Sequence, residues 1–491
     1  MGNQLFTKKS ITKLMEESAD DGKGLKRSLT AISLIALGVG AIIGAGLFVR
    51  TAAAAANNAG PSVTIGFIVA GIGCALAGLC YAEFASMIPV SGSAYTYSYA
   101  TMGELVAWII GWDLVLEYAL GAATVSIAWS EYLNKLLGYF NAHIPYEWCH
   151  SPFEASTLGT HGIMNIPALF IVFLLTILLI RGARESALVN AIIVVTKVSI
   201  VILFIVFGWS FINPANHTPF IPEATKFVDA QGVSHNFGGI LGILGAAGVV
   251  FFAFIGFDAV STAAQETKNP KKALPIGILG SLAICTVLYI LFSYVLTGVA
   301  TLDDFRTAGK EASVTFAIQT YMTGFGWLAK LVTIAILAGF SSVILVMLYG
   351  QSRVFYSMSK DGLVPKIFSD LHQKFRTPYK SNLLFFAFVG LFACFVPQDI
   401  VGDMTSIGTL FAFMLVSAGV WIMRVKNPEL KRGFKTPWVP FVPILGILVC
   451  GAMIFGLGWA NWIRLFIWMA IGLVIYFAYS RFHSKINETK D

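Results

Sequence analysis

Residues 38 to 48 read Gly-Val-Gly-Ala-Ile-Ile-Gly-Ala-Gly-Leu-Phe, an apolar run with four glycines in nine residues, inside a segment long enough to cross a bilayer. So many glycines make a poor continuous helix, and a break is expected there. In lipid, backbone N–H and C=O groups released by a break are tolerated only where they face a protein cavity or find another partner. A ligand is one such partner. A second candidate break, Phe251-Phe252-Ala253-Phe254-Ile255-Gly256-Phe257-Asp258, follows about two hundred residues later. Paired interrupted helices in corresponding halves of a membrane chain point to a binding site at a repeat interface.

The rest of the chain supports a membrane setting. Of 491 residues, 57% are hydrophobic, 12% are charged and 39 are Phe, more apolar material than one globular core uses. The expectation is an all-α polytopic membrane protein with twelve transmembrane helices at roughly 30–55, 62–87, 105–136, 164–181, 187–212, 238–264, 274–299, 325–357, 382–397, 403–424, 439–459 and 461–481. An even count puts both termini on one side, and the loops say which. The side of the termini collects 25 Lys and Arg against five on the other, so both termini are expected in the cytoplasm and the protein in the plasma membrane. The division that follows is a cytoplasmic tail 1–29, a first repeat 30–212 (helices 1–5), a second repeat 238–424 (helices 6–10), peripheral helices 439–481 and a tail 482–491. The two five-helix halves run in opposite orientation.

Several function classes find no support. The net charge of +7 is accounted for by loop placement, so no nucleic acid partner is expected. The first 29 residues lack the short apolar core and small-residue cleavage site of a signal peptide; a short amphipathic helix is expected near Ile11 to Met15. Cys74, Cys80, Cys285, Cys394 and Cys450 fall in apolar spans and Cys149 in a loop, which is neither a disulfide framework nor zinc spacing. His143, His150, His161, His217 and His235 lie in loops without metal spacing. The glycine runs lack the lysine of a nucleotide cradle, and no nucleophile–base constellation stands out. An enzyme is not expected.

The run Gly40-Ala41-Ile42-Ile43-Gly44-Ala45-Gly46-Leu47-Phe48 is followed by Tyr81-Ala82-Glu83-Phe84-Ala85 and Pro89-Val90-Ser91-Gly92-Ser93-Ala94-Tyr95. Around the second break stand Phe252-Ala253-Phe254-Ile255-Gly256-Phe257-Asp258 and Glu266-Thr267-Lys268-Asn269-Pro270. This order of motifs, spread over residues 25 to 480, resembles the amino acid–polyamine–organocation superfamily and, within it, bacterial members of the cationic amino acid transporter family. The resemblance implies a leucine-transporter-type fold: a 5+5 inverted repeat with broken helices 1 and 6, plus two peripheral helices. It also implies a secondary active amino acid transporter working by alternating access, with no cofactor and the proton as coupling ion. An exchanger and a transport-inactive sensor are the alternatives, although the tails are short for a sensor's output domain.

The breaks suggest how an amino acid is held. The half-helix after the first break begins with free N–H groups and a positive dipole end, which suits a carboxylate at Ile43, Gly44, Ala45 and Gly46. The competing reading is that these glycines only let helices approach closely. The half-helix before the second break leaves carbonyls near Phe252, Ala253, Phe254 and Ile255, which suit an ammonium. By the resemblance, Phe252 is similar to an aromatic that covers the substrate, and Met347 to a position facing its side chain; ordinary core roles fit both equally well.

Charged groups at membrane depth complete the candidate site. Glu117 and Asp258 are intramembrane carboxylates that favour a positive side chain. Asp113, four residues before Glu117 and on the same helix face, is read as lying near the cytoplasmic headgroups. Lys197 stands about ten residues into its span, roughly 15 Å deep, where an ammonium is costly unless paired or deprotonated. By the resemblance, a lysine in this helix replaces a bound sodium ion, which makes Lys197 the proton-coupling group. The expected substrates are cationic amino acids, with small neutral L-amino acids beside them. The partners are then the amino acid and the lipid bilayer. Cys149 is the single weak pointer to an accessory subunit, and Glu83 with Pro89 to Tyr95 is read as an inner gate or a capped turn.

Overall fold

A computed structural model describes residues 5–10, 29–88, 93–156, 159–181, 187–229, 234–262, 267–307, 314–375 and 377–485, with 232 and 264. The expected helix at Ile11 to Met15, the segment Pro89 to Gly92, Glu266 and the tail beyond 485 lie outside the described residues.

Long apolar runs become helices here because a helix satisfies its own backbone groups. The first, α1 (Ala31–Ile42), starts at Thr30, whose side chain accepts from Ser33 N, and stops at Ile43 in an extended conformation. The chain resumes as a π-helical turn, Gly46–Arg50, followed by Thr51–Ala54 and a second π turn, Ala55–Ala59. Next come α2 (Val63–Met87), the short α3 (Ser93–Thr101), and α4 (Glu104–Val115), which passes through a π turn at Leu116–Leu120 into α5 (Gly121–Gly138). The helices α6 (Ile166–Arg181) and α7 (Ala187–Gly208) follow.

A hairpin then interrupts the helical pattern: β1 (Thr225–Val228) pairs antiparallel with β2 (Ser234–Phe237), Thr225 opposite Phe237. The second interrupted helix is α8 (Gly239–Phe251), a 3-10 turn Phe252–Phe254, and α9 (Ala259–Thr262). After it come α10 (Pro270–Val299), α11 (Leu302–Thr307), α12 (Val314–Tyr321) and α13 (Gly326–Lys360). The last four are α14 (Tyr379–Phe395), α15 (Gln398–Lys426), α16 (Phe441–Gly456) and α17 (Trp459–Ile475).

Among the described residues, eight helical stretches are long and apolar enough to cross a membrane, and four shorter apolar helices, α1, α6, α14 and α16, accompany them. The α10 helix packs on α1 and α2, α8 packs on α2, and α13 packs on α5 and α7. The two breaks therefore sit in the middle of the bundle, every residue from Val39 to Ala45 and from Phe251 to Asp258 being buried. The α17 helix lies outside, attached to α4 by aromatic contacts: Trp468 stacks on Trp112 at 4.6 Å, and Trp108 Nε1 donates to the Gly472 carbonyl at 2.9 Å.

Two of the residues singled out from the sequence are enclosed by protein. Cys149 is in a loop but is buried, its thiol lying 3.1 Å from the Pro145 carbonyl and 3.5 Å from that of Ile144. Burial pushes this thiol up to about 11. Asp113 is fully buried among protein side chains, and neither of its oxygens makes a hydrogen bond of ordinary geometry.

Candidate functional site

The two breaks touch each other through bare backbone. A Cβ built on Gly46 would fall 2.2 Å from the Ala253 Cα and 2.5 Å from its nitrogen. Gly256 has φ +109°, a left-handed conformation that side chains rarely adopt, and a Cβ there would meet the Ala41 carbonyl oxygen at 3.1 Å. Each break thus needs a glycine where the other crosses it. Gly44 differs, since its Cβ would meet a Val343 methyl at 3.3 Å, a side chain on α13 rather than a backbone.

The amides of Gly44, Ala45 and Gly46 head the resumed helix, which begins with Leu47 N bonding to the Gly44 carbonyl at 3.2 Å. A helix start offers unsatisfied N–H groups and a positive dipole end. The end of α8 offers carbonyls, two of which already accept a hydrogen bond. The Phe252 carbonyl accepts from Ile255 N at 3.3 Å, and that of Ala253 from the Tyr289 hydroxyl at 2.9 Å. Ile255 itself is extended (φ −59°, ψ 137°), which turns its carbonyl off the helix axis.

Tyr289, on α10, escaped the sequence reading. Its hydroxyl also lies 3.0 Å from the Ile42 carbonyl, so one buried O–H is shared between the last carbonyl of α1 and a carbonyl of the second break. The only sequence signal was a hydroxyl in the middle of an apolar span. Lys197 performs a similar task from α7: it is 3% exposed and its ammonium donates to the Gly40 carbonyl at 2.9 Å. Its stem runs over Gly339 of α13, where a Cβ would come within 2.6 Å of Cε. Ile43, Phe48, Ile336 and Phe340 line the same narrow crevice.

The wall beside the breaks is graded along α13. Val343 covers Gly44, and one turn on Met347 presses against Gly121, its sulfur 2.9 Å from where a Cβ would stand. Below Gly121 lie Glu117 and Tyr118. The Tyr118 hydroxyl donates to Asp258 Oδ2, which also takes the Ser93 hydroxyl at 3.3 Å. Glu117 abuts Asp258, yet neither of its oxygens makes a hydrogen bond of ordinary geometry. Asp113, Glu117 and Asp258 are all fully buried. Among the described residues no Lys or Arg makes an ion pair with any of them. Buried charge without a counter-ion costs several kcal/mol per group, so a cation brought beside this trio would offset that cost.

Polar locks stand at either end of the bundle. Arg50, 1% exposed, donates to Asp399 at 3.0 Å and to Asp403, both on α15. The sequence signal for this pairing is an arginine inside an apolar span together with two aspartates one turn apart. At the opposite end Glu83, 2% exposed, takes Arg424 at 2.7 and 2.9 Å, Arg432 at 2.9 Å and Thr436 N at 2.8 Å. It fastens the segment after α15 to α2.

Comparison with known proteins matches residues 29–475 to the family described as "Amino acid permease". A branched-chain amino acid permease of Bacillus subtilis (strain 168) is 46% identical, over 99% of this chain and all of the relative. A methylthioribose transporter of the same strain is 40% identical, over 99% of this chain and all of the relative. The chloroplastic cationic amino acid transporter 9 of Arabidopsis thaliana is 38% identical, over 89% of this chain and 74% of the relative.

Proposed function

The chain belongs to the amino acid permease family of the APC superfamily, whose members are transporters rather than enzymes, and from that premise we propose that it is a proton-coupled amino acid transporter of the plasma membrane. In this reading twelve spans form a 5+5 inverted repeat with two peripheral helices, and both termini are cytoplasmic. The observation that carries the reading is the contact of the two breaks at Gly46 and Ala253. Amides at one break and carbonyls at the other stand side by side, as the carboxylate and amino group of an α-amino acid require. Ile43, Gly44, Ala45 and Gly46 hold the carboxylate; Phe252, Ala253, Phe254 and Ile255 hold the ammonium.

Side-chain choice falls to the wall of Val343, Met347 and Phe252, which favours a small or branched apolar side chain, in keeping with the name of the Bacillus permease. A second reading, cationic substrates, is supported by Glu117. It stands one helical turn beyond Gly121, roughly 6 Å farther along, within reach of a lysine or arginine side chain, and its oxygens lack ordinary hydrogen bonds. Asp258 is the weaker candidate because Tyr118 and Ser93 already occupy one oxygen. Lys197 couples the proton: charged, it holds the Gly40 carbonyl as a bound cation would, and on deprotonation it loosens α1.

Uptake of labelled leucine and arginine into proteoliposomes, with and without an inward proton gradient, tests both readings. One charge-assisted hydrogen bond is worth about ten- to a hundredfold in affinity. Arginine uptake that Glu117→Gln lowers by that factor while leucine uptake survives supports the cationic reading; leucine uptake alone, insensitive to Glu117→Gln, supports the apolar one. Lys197→Ala is expected to abolish gradient dependence. Absence of uptake or binding of any amino acid refutes the transport assignment.

A further inference from the structure

Two buried or half-buried carboxylates outside the site gather both ends of the chain. Asp361 caps the end of α13. Its Oδ1 takes Lys9 Nζ at 2.9 Å, its Oδ2 takes the Tyr95 hydroxyl at 2.7 Å, and its carbonyl takes Lys485 N at 3.1 Å. Glu104, fully buried at the start of α4, takes Tyr99 at 3.0 Å, Tyr476 at 2.9 Å and the Ser484 hydroxyl. Residues 5 to 9 run along the α3–α4 junction like an added strand. Leu105 N donates to the Leu5 carbonyl at 3.0 Å, Glu104 N to that of Thr7 at 3.2 Å, and Lys9 N to that of Tyr99 at 3.2 Å. The fit is close: Gly103 has φ +105°, and a Cβ there would strike the Phe6 backbone at 2.6 Å.

Three of these contacts reach α3 directly, through the Tyr95 hydroxyl and the hydroxyl and carbonyl of Tyr99, and every residue of α3 is buried. Its first residue, Ser93, reaches Asp258 at the end of the second break, and Tyr97 stacks on Phe84 of α2 at 5.4 Å. The α3 helix thus lies between the second break and the terminal segments. We propose that residues 5–9 and 476–485 form a clasp, fastened on Asp361 and Glu104, that seats α3 and holds shut the face of the transporter carrying both termini. Opening on that face requires α3 to leave Asp258, and the clasp opposes that movement. Its consequence for transport rests on the function proposed above; the clasp itself does not.

A reporter cysteine at Thr96, buried on α3 and outside the clasp, tests this in the full-length protein, the six native cysteines being buried. The rate of Thr96→Cys alkylation by N-ethylmaleimide is compared in the otherwise unaltered chain, in Lys9→Ala, in Lys9→Arg and after removal of residues 2–9. A partly exposed ion pair limits the effect of Lys9→Ala to about fivefold. Removal of the segment, which also deletes the three backbone hydrogen bonds, is expected to exceed that, and Lys9→Arg to keep the original rate. Hydrogen exchange of residues 93–101 in the chain without the reporter provides the same comparison should Thr96→Cys disturb folding. Unchanged alkylation and unchanged exchange in both Lys9→Ala and the truncated chain overturn the clasp. Faster alkylation in a protein that transports no amino acid leaves the clasp standing and sinks the transport reading instead.

Discussion

Gly46→Ala is expected to disable the site while leaving the protein inserted. An ordinary Cβ contact needs 3.4 Å or more, whereas this one would begin at 2.2 Å from the Ala253 Cα, so the two breaks have to part by roughly 1.2 Å. Neither side can yield by a rotamer change, because the atoms struck are backbone. Overpacking of this kind costs about 1–3 kcal/mol, or about 5- to 150-fold in affinity. It acts directly on the distance between the amides and carbonyls to which the proposed function assigns the two ends of the substrate. Gly44→Ala is the control: its Cβ meets a Val343 methyl at 3.3 Å, which a small shift of that side chain relieves, and affinity should change by no more than a few-fold. Ligand-induced thermal stabilisation in detergent and initial uptake rates in proteoliposomes would be measured for both variants, with size-exclusion profiles confirming insertion. Gly46→Ala with the original stabilisation and uptake would refute the contact of the two breaks as the binding geometry.

Tyr289→Phe removes the O–H shared by the Ile42 and Ala253 carbonyls; two buried acceptors lose their donor, and the thermal midpoint should fall by an amount matching about 1–3 kcal/mol, read by thermal unfolding. Arg50→Ala removes the guanidinium that Asp399 and Asp403, one turn apart on α15, share; faster labelling of a cysteine placed at Gly402 is expected, and an unchanged rate would count against a lock there. Cys149, at about 11, holds about one thiolate per thousand thiols at pH 8, so its alkylation in the folded protein should be negligible at neutral pH and should rise as pH approaches 11. Rapid labelling at pH 7 would contradict the burial.

Much of this arrangement is legible in residues 38–48, where four glycines in nine residues of an apolar span disfavour a continuous helix, and in 251–258, where Gly256 and Asp258 interrupt a second apolar span. Lys197 is legible for the same kind of reason, as a charge where none belongs. The enclosure of Asp113 by protein is not legible in this way, because it depends on what covers the start of its helix. The helix from Glu104 to Gly138 is 35 residues long, well beyond the roughly 20 that a bilayer needs. Its first turn is covered by protein rather than by lipid headgroups, with Thr7, Tyr476 and Ser484 all packed on Glu104. No periodicity in the sequence announces that chain termini will cover a helix end. The partners of Tyr289 and Arg50 were hidden likewise, since each joins positions more than two hundred residues apart.

The placement of internal donors narrows which carbonyls remain for a substrate. Breaking α1 releases carbonyls near its end, and two of them already have fixed partners: Gly40 has the Lys197 ammonium and Ile42 has the Tyr289 hydroxyl. At the second break the Ala253 carbonyl shares that same hydroxyl, and the Phe252 carbonyl holds only a long bond to Ile255 N, at 3.3 Å. A carbonyl oxygen has two lone pairs, so a partner does not exclude an ammonium, but the weakest existing bond is displaced most cheaply. On the function proposed above, the amino group of a substrate is therefore directed to the turn from Phe252 to Ile255, while the first break is left to its amides. In that reading the asymmetry orients an α-amino acid in one sense only, and Lys197 and Tyr289 serve the site by holding α1 where the amides of Gly44 to Gly46 face the carbonyls of the second break.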